Sequence, residues 1–156
     1  MSEPSNTPEI VALAPMPAAV VREVVPMTAL PEFFGRAFQA SAEALEQQGI
    51  AITGAPFGIY YGMPSDTADV GAGFPSASLP TDAEGVTGTM LPGGRAARVV
   101  HFGSYDTLSE TYGRLMSWLA EEGLTPGPVM WESYLNEPQP DDPTATQTLI
   151  VWPLAE

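Results

Sequence analysis

AARVVHFGSYDTLSETYGRLMSWLAEEGLTPGPVMWESYLN, residues 96–136, holds a strand, a helix and a second strand in one run. RVVHF at 98–102 is β-branched and apolar, which suits a packed strand. Leu108, Tyr112, Leu115 and Leu119 then recur at helical spacing and make one apolar face. Thr107, with Glu110 three residues later, reads as a capping box, and Gly123 as the glycine that stops the helix. A loop containing proline and glycine follows, and MWESYL at 130–135 returns as a strand.

The same order is written once before, in VVREVVPMTALPEFFGRAFQASAEALEQQGIAITGAPFGIYYG, residues 20–62. Pro31 suits the first helical position, Phe34, Phe38 and Leu45 face inward, and Gly49 ends the helix. FGIYY at 57–61 and TLIVW at 148–152 read as strands, and LPGGR at 91–95 as a hairpin turn by its glycine pair. NEPQPDDPTATQ, 136–147, reads as a loop between antiparallel strands, and 62–73 as its counterpart ahead of AGFPSAS. Each half is then β-α-β-β, with repeats at about 10–80 and 85–156. The fold expected is α+β: two pseudo-symmetric β-α-β-β modules forming one antiparallel sheet, two helices on one face and a ligand cleft on the other. Residues 1–9, MSEPSNTPEI up to Glu9, read as a flexible tail without the basic and apolar segments of a signal peptide, and 10–156 as a single domain.

Composition narrows the chemistry. The 156 residues include no cysteine and one histidine, which excludes thiolate metal sites and leaves no conventional zinc site or catalytic triad. No metal and no cofactor is expected. Five arginines, no lysine and nineteen acidic residues give a formal charge of −14. That field repels phosphate backbones, so direct nucleic-acid binding is not expected; it either draws cations toward any cleft or simply serves solubility, and charge alone favours solubility. No apolar run approaches the roughly 20 residues that span a bilayer, so a soluble, cytoplasmic chain without membrane contact is expected.

Glu132 is the residue that asks for an explanation. Period-2 alternation puts Met130, Glu132 and Tyr134 on one strand face, and Trp131, Ser133 and Leu135 on the other. A carboxylate in a packed strand needs a counter-charge, hydrogen bonds or a task. Aligning Gly49 with Gly123 sets Tyr60 against Tyr134 and Gly58 against Glu132, which describes a lopsided cleft with room on one side and charge on the other. Glu132 either pairs inside the protein with Arg22, Arg95, Arg98 or Arg114, or serves as counter-charge to a ligand. Tyr60 and Tyr134 either stack on a cation or fill the sheet face. His101 is either a base that titrates near neutrality or a hydrogen-bonded strand-end residue. Trp118, Trp131, Leu115 and the phenylalanines of the first helix read as core, and Asp141–Asp142 as a solvated loop.

Taken together, VVREV (20–24), GIYY (58–61) with ADVGAGFP (68–75), RVVHFGSYDTLSETYGRLMSWLAEEG (98–123), PVMWESYLNEP (128–138) and TLIVWPL (148–154) resemble the GyrI-like effector-binding domains. That family also forms the C-terminus of MerR- and AraC-type multidrug regulators. The resemblance implies a central cleft for lipophilic, often cationic, small molecules, with the glutamate of an E-x-Y strand motif as counter-charge, here Glu132 followed by Tyr134. By this analogy Phe74 and Trp152 lie near the cleft, and the candidate ligand-binding set is Glu132, Tyr134, Tyr60, Met130, Phe74, Trp152 and His101. No helix-turn-helix pattern or basic stretch accompanies it, so a stand-alone ligand-binding protein is expected. Two alternatives come with the family. One is a metal-free hydrolase of electrophilic cyclopropane natural products, with Glu132 directing water and Tyr134 supplying a proton. The other is a protein that acts on gyrase or a regulator through its acidic surface.

Overall fold

The computed structural model describes residues 6–62, 65–83, 85–136, 141–142 and 145–155. Along the chain come β1 (Glu9–Leu13), β2 (Met16–Pro26), α1 (Leu30–Gln47), β3 (Phe57–Tyr61), β4 (Thr67–Pro75), β5 (Thr87–Leu91), β6 (Gly94–Phe102), α2 (Leu108–Glu121), β7 (Val129–Tyr134) and β8 (Gln147–Pro153). The strands make one antiparallel sheet in the order β1-β6-β8-β7-β3-β4-β2-β5. The expected α+β class and the two β-α-β-β modules, β2-α1-β3-β4 and β6-α2-β7-β8, are therefore present, and they meet at the central β3–β7 pair.

Two local expectations differ. LPGGR is not a hairpin turn: β5 pairs with β2 and β6 with β1, so the strands it joins sit at opposite ends of the sheet order. Gly93 serves a close crossing instead. A Cβ on Gly93 would stand 2.7 Å from Pro15 Cδ and 2.8 Å from the Leu13 carbonyl oxygen, in the matching β1–β2 connector. Nor is 62–73 all loop, because β4 starts at Thr67 and pairs with both β2 and β3. Ala68, Gly71, Ala72 and Gly73 have weak strand propensity, and burial between two neighbours overrides it. In the loop read at 136–147, residues 137–140 and 143–144 lie outside the described residues, as do 1–5 of the expected tail; Glu9 belongs to β1 and pairs with Arg98 at 2.6 Å.

Gly49 and Gly123 close the helices with φ of +69° and +68°, a left-handed conformation that favours glycine. Pro31 stands in the first turn of α1. Thr107 forms no capping box. Its hydroxyl donates to the Ser104 carbonyl at 3.0 Å, within the 3-10 turn Tyr105–Thr107 that leads into α2. α1 buries Phe33 and Ala37 against Val25, Ala68 and Val70, while α2 buries Leu115 and Leu119 against Ala97, Val99 and Ile150.

The opposite face is not free. The sheet curls around Val20, Phe57, Ile59, Leu91, Trp131 and Val151, which form its own apolar core. The cleft expected there lies instead on the helix-bearing face, between α1 and α2 over β3 and β7. Each helix covers its own module, so the central pair is where the cover parts.

Candidate functional site

Gly58 of β3 stands directly opposite Glu132 of β7, and Tyr60 opposite Met130. Gly58 and Glu132 are equivalent positions of the two modules, so the pseudo-dyad runs between them and a single carboxylate stands at the centre of the cleft. Glu132 is only 7% exposed. Tyr134 donates its hydroxyl to Oε1 at 2.9 Å, and Tyr112 of α2 donates to Oε2. Burial raises the Glu132 carboxyl above its ordinary range, and the two phenol donors pull it back toward ionisation. Burial also raises the phenols of Tyr60, Tyr112 and Tyr134, with the Glu132 charge adding to it, so they stay protonated, and Tyr112 and Tyr134 act as donors.

Among the described residues the internal ion pair is not formed. Arg22 pairs with Asp69, Arg36 with Glu23 and Arg98 with Glu9. Arg114 donates to the Asn6 carbonyl and the Thr111 hydroxyl. Among the described residues no ion pair reaches Glu132. Among the described residues, the hydrogen bonds from Tyr112 and Tyr134 are the direct contacts that hold this buried carboxylate.

Two cavities flank it. The first, about 710 Å³, is walled by Leu30, Phe34 and Phe38 of α1, by Tyr105 and Leu108 at the start of α2, and by Tyr134 and Asn136. Phe34, Phe38 and Tyr105 meet the Tyr134 ring near edge-on at 6.1, 6.3 and 6.0 Å between centroids, an aromatic box around one side of Glu132. The second, about 550 Å³, is walled by Met27, Tyr112, Met116, Met130, Trp152 and the Pro126–Pro128 loop. Tyr60 and Glu132 belong to both walls.

The structure thus gathers Glu132, Tyr60 and Tyr134 at the first cavity, and Met130 and Trp152 at the second. Phe74 packs behind Phe38 at 5.8 Å and lines neither. His101 is buried away from both: Nε2–H donates to the Ser104 carbonyl at 2.8 Å, and Nδ1 lies 2.6 Å from the Thr111 hydroxyl. It ties down the turn that presents Tyr105 and Leu108. Phe34 and Phe38, read from sequence as core, and Tyr112, read as part of the apolar helix face, are cavity wall. A signal existed for one of them: a tyrosine in a leucine stripe needs a partner for its hydroxyl.

Gly58 makes the centre possible. A Cβ there would stand 2.8 Å from Phe34 Cε1 and 3.0 Å from the Tyr134 hydroxyl. Gly58→Ala is therefore expected to push Tyr134 off Glu132 and to cost about 1–3 kcal/mol of stability by overpacking, read by urea denaturation.

The GyrI-like small molecule binding domain family matches residues 6–155. No protein of curated function matches the sequence. Among solved structures, the EcmrR C-terminal domain is similar at a TM-score of 0.82 and 18% identity, over 96% of this chain and 98% of that one. In the EcmrR–DNA complex, this chain spans 57% of the length of the EcmrR chain. A hydrolase from Listeria innocua is similar at a TM-score of 0.67 and 14% identity, over 98% of this chain and 94% of that one. SAV2435 bound to tetraphenylphosphonium is similar at 0.66 and 11% identity, over 95% and 93%. At these identities the likeness shows the fold. Among the described residues no helix is long and apolar enough to cross a membrane.

Proposed function

Because the chain belongs to the GyrI-like family of small-molecule-binding domains, we propose that it captures lipophilic aromatic cations in its first cavity, with Glu132 as the counter-charge. The observation that carries this reading is a buried carboxylate, without an ionic partner among the described residues, in the wall of an open aromatic cavity. In such a low-dielectric place a cation gains far more from one carboxylate than it would in water. The rings of Phe34, Phe38, Tyr60 and Tyr105 add apolar burial and cation–π attraction, about 0.5–2 kcal/mol for a well-placed ring. Tyr112 and Tyr134 keep the carboxylate aimed and leave its remaining lone pairs to the guest. A similarly folded protein, SAV2435, is seen bound to tetraphenylphosphonium, a cation of this class.

A hydrolytic use of Glu132 fits less well. Each carboxylate oxygen already accepts from a phenol, an arrangement that orients charge and competes with activation of a water.

The test compares methyltriphenylphosphonium with its neutral near-isostere triphenylphosphine oxide, by calorimetry. Wild type is expected to prefer the cation by tenfold or more, about 1.4 kcal/mol per decade. Glu132→Gln is expected to lose that preference and leave the neutral compound within twofold. Equal losses for both compounds sink the counter-charge role.

A further inference from the structure

The second cavity has a different chemistry from the first, although both touch the same carboxylate. Its wall presents three thioethers, Met27, Met116 and Met130, beside Tyr112 and Trp152. None of the described methionines is in the wall of the first cavity. Methionine side chains are flexible and polarisable, and they adapt to flat aromatic guests of varied outline. The polar atoms of the two rings are already spent. Tyr112 donates to Glu132, and the Trp152 indole N–H donates to the Gly127 carbonyl at 2.8 Å. The Tyr112 ring also meets Trp152 edge-on at 6.3 Å, which fixes the indole in place. These side chains ask for no hydrogen bond from a guest.

Charge separates the two sides further. Only one carboxylate stands on the pseudo-dyad, Gly58 being its counterpart, and among the described residues no second acidic side chain belongs to either wall. Once a cation in the first cavity has neutralised Glu132, the second has no charge left to offer. A second cation would then meet only like charge across the Tyr60–Glu132 partition, whereas a neutral guest meets no such penalty. At about 550 Å³ the second cavity is within the size range of small-molecule sites.

We propose that this second cavity is a separate subsite for a neutral, flat aromatic compound, filled at the same time as the first. The neutral character of the guest rests on the counter-charge role of Glu132; the existence of the subsite rests on the second cavity alone.

The experiment is a ¹³C-methyl methionine NMR titration with N-phenyl-1-naphthylamine, an uncharged two-part aromatic dye, with and without saturating methyltriphenylphosphonium. Ring currents should shift the methyls of Met27, Met116 and Met130 and leave those of Met16 and Met90 in place, in both series. Met116→Asn, a change at a 40% exposed position of α2, should weaken the dye about fivefold and the phosphonium by less than twofold. The proposal is overturned if the three methyls stay unmoved up to the dye's solubility limit, or if the phosphonium displaces the dye one for one. If the methyls shift but the phosphonium does not bind, the counter-charge reading fails and the subsite stands. If the phosphonium binds and the methyls do not respond to dye, the reverse holds.

Discussion

Affinity for methyltriphenylphosphonium is expected to fall about tenfold per pH unit once the pH drops below the titration point of Glu132, and Glu132→Gln to flatten that profile. The cation recognises the ionised carboxylate, so acid competes with it for the same site. Burial moves that titration upward from the ordinary glutamate value of about 4.3. The loss should therefore begin at a higher pH than an exposed glutamate would give. Binding should also release a proton in the acid limb, which calorimetry in buffers of different ionisation enthalpy detects. A pH-independent affinity in wild type would mean that another group carries the charge.

The same shift fixes the sign for stability in the absence of ligand. The folded protein holds its Glu132 proton more tightly than the unfolded chain does. The contribution is therefore complete below the unfolded value, and it is lost as pH rises through the folded one, at a slope of up to about 1.4 kcal/mol per unit. Glu132→Gln should thus raise the melting temperature at pH 8 relative to wild type, and give a smaller gain or a loss at pH 4. A site kept ready for a cation at some expense of stability behaves this way.

Gly73→Ala is expected to remove a large part of the folding stability. Gly73 lies in β4 between Val20 of β2 and Phe57 of β3. An added Cβ would stand 1.8 Å from the Ala19 carbonyl oxygen, 2.8 Å from its carbon and 3.0 Å from Val20 Cα. All three are backbone atoms of a strand hydrogen-bonded in the sheet interior, so no rotamer change relieves the clash. Overpacking against movable side chains costs about 1–3 kcal/mol. Here strands must separate, and a loss above ~3 kcal/mol is expected against a total of ~5–15 kcal/mol. Urea denaturation reads it directly. Gly35 and Gly113, exposed on the helices with nothing within 4 Å of an added Cβ, are the matched controls. Alanine there should stabilise by about 0.5–1 kcal/mol. A Gly73→Ala protein as stable as these controls would mean that β4 does not sit against β2 as described.

Short-range signals settled much of this molecule in advance. Gly49 and Gly123 stop their helices because a left-handed residue is needed there, and that need is visible within one turn of chain. Alternation placed Glu132 beside Met130 and Tyr134 on one face and set Trp131 against it, because a strand offers its side chains only two directions. Aligning the two halves matched Gly58 with Glu132, and in the folded protein they are direct cross-strand partners. What local pattern could not supply was the choice among distant partners. β1 and β5 cross to the opposite half because the curled sheet brings its ends together, a fact of closure that neither strand carries alone. The Gly- and Ala-rich β4 is a strand because its neighbours bury it. The cleft opens on the helix side because the other face closes on its own core, and Tyr112 holds Glu132 because α2 docks over β7. A hydroxyl's partner and a cleft's face are set by packing between segments far apart in the chain.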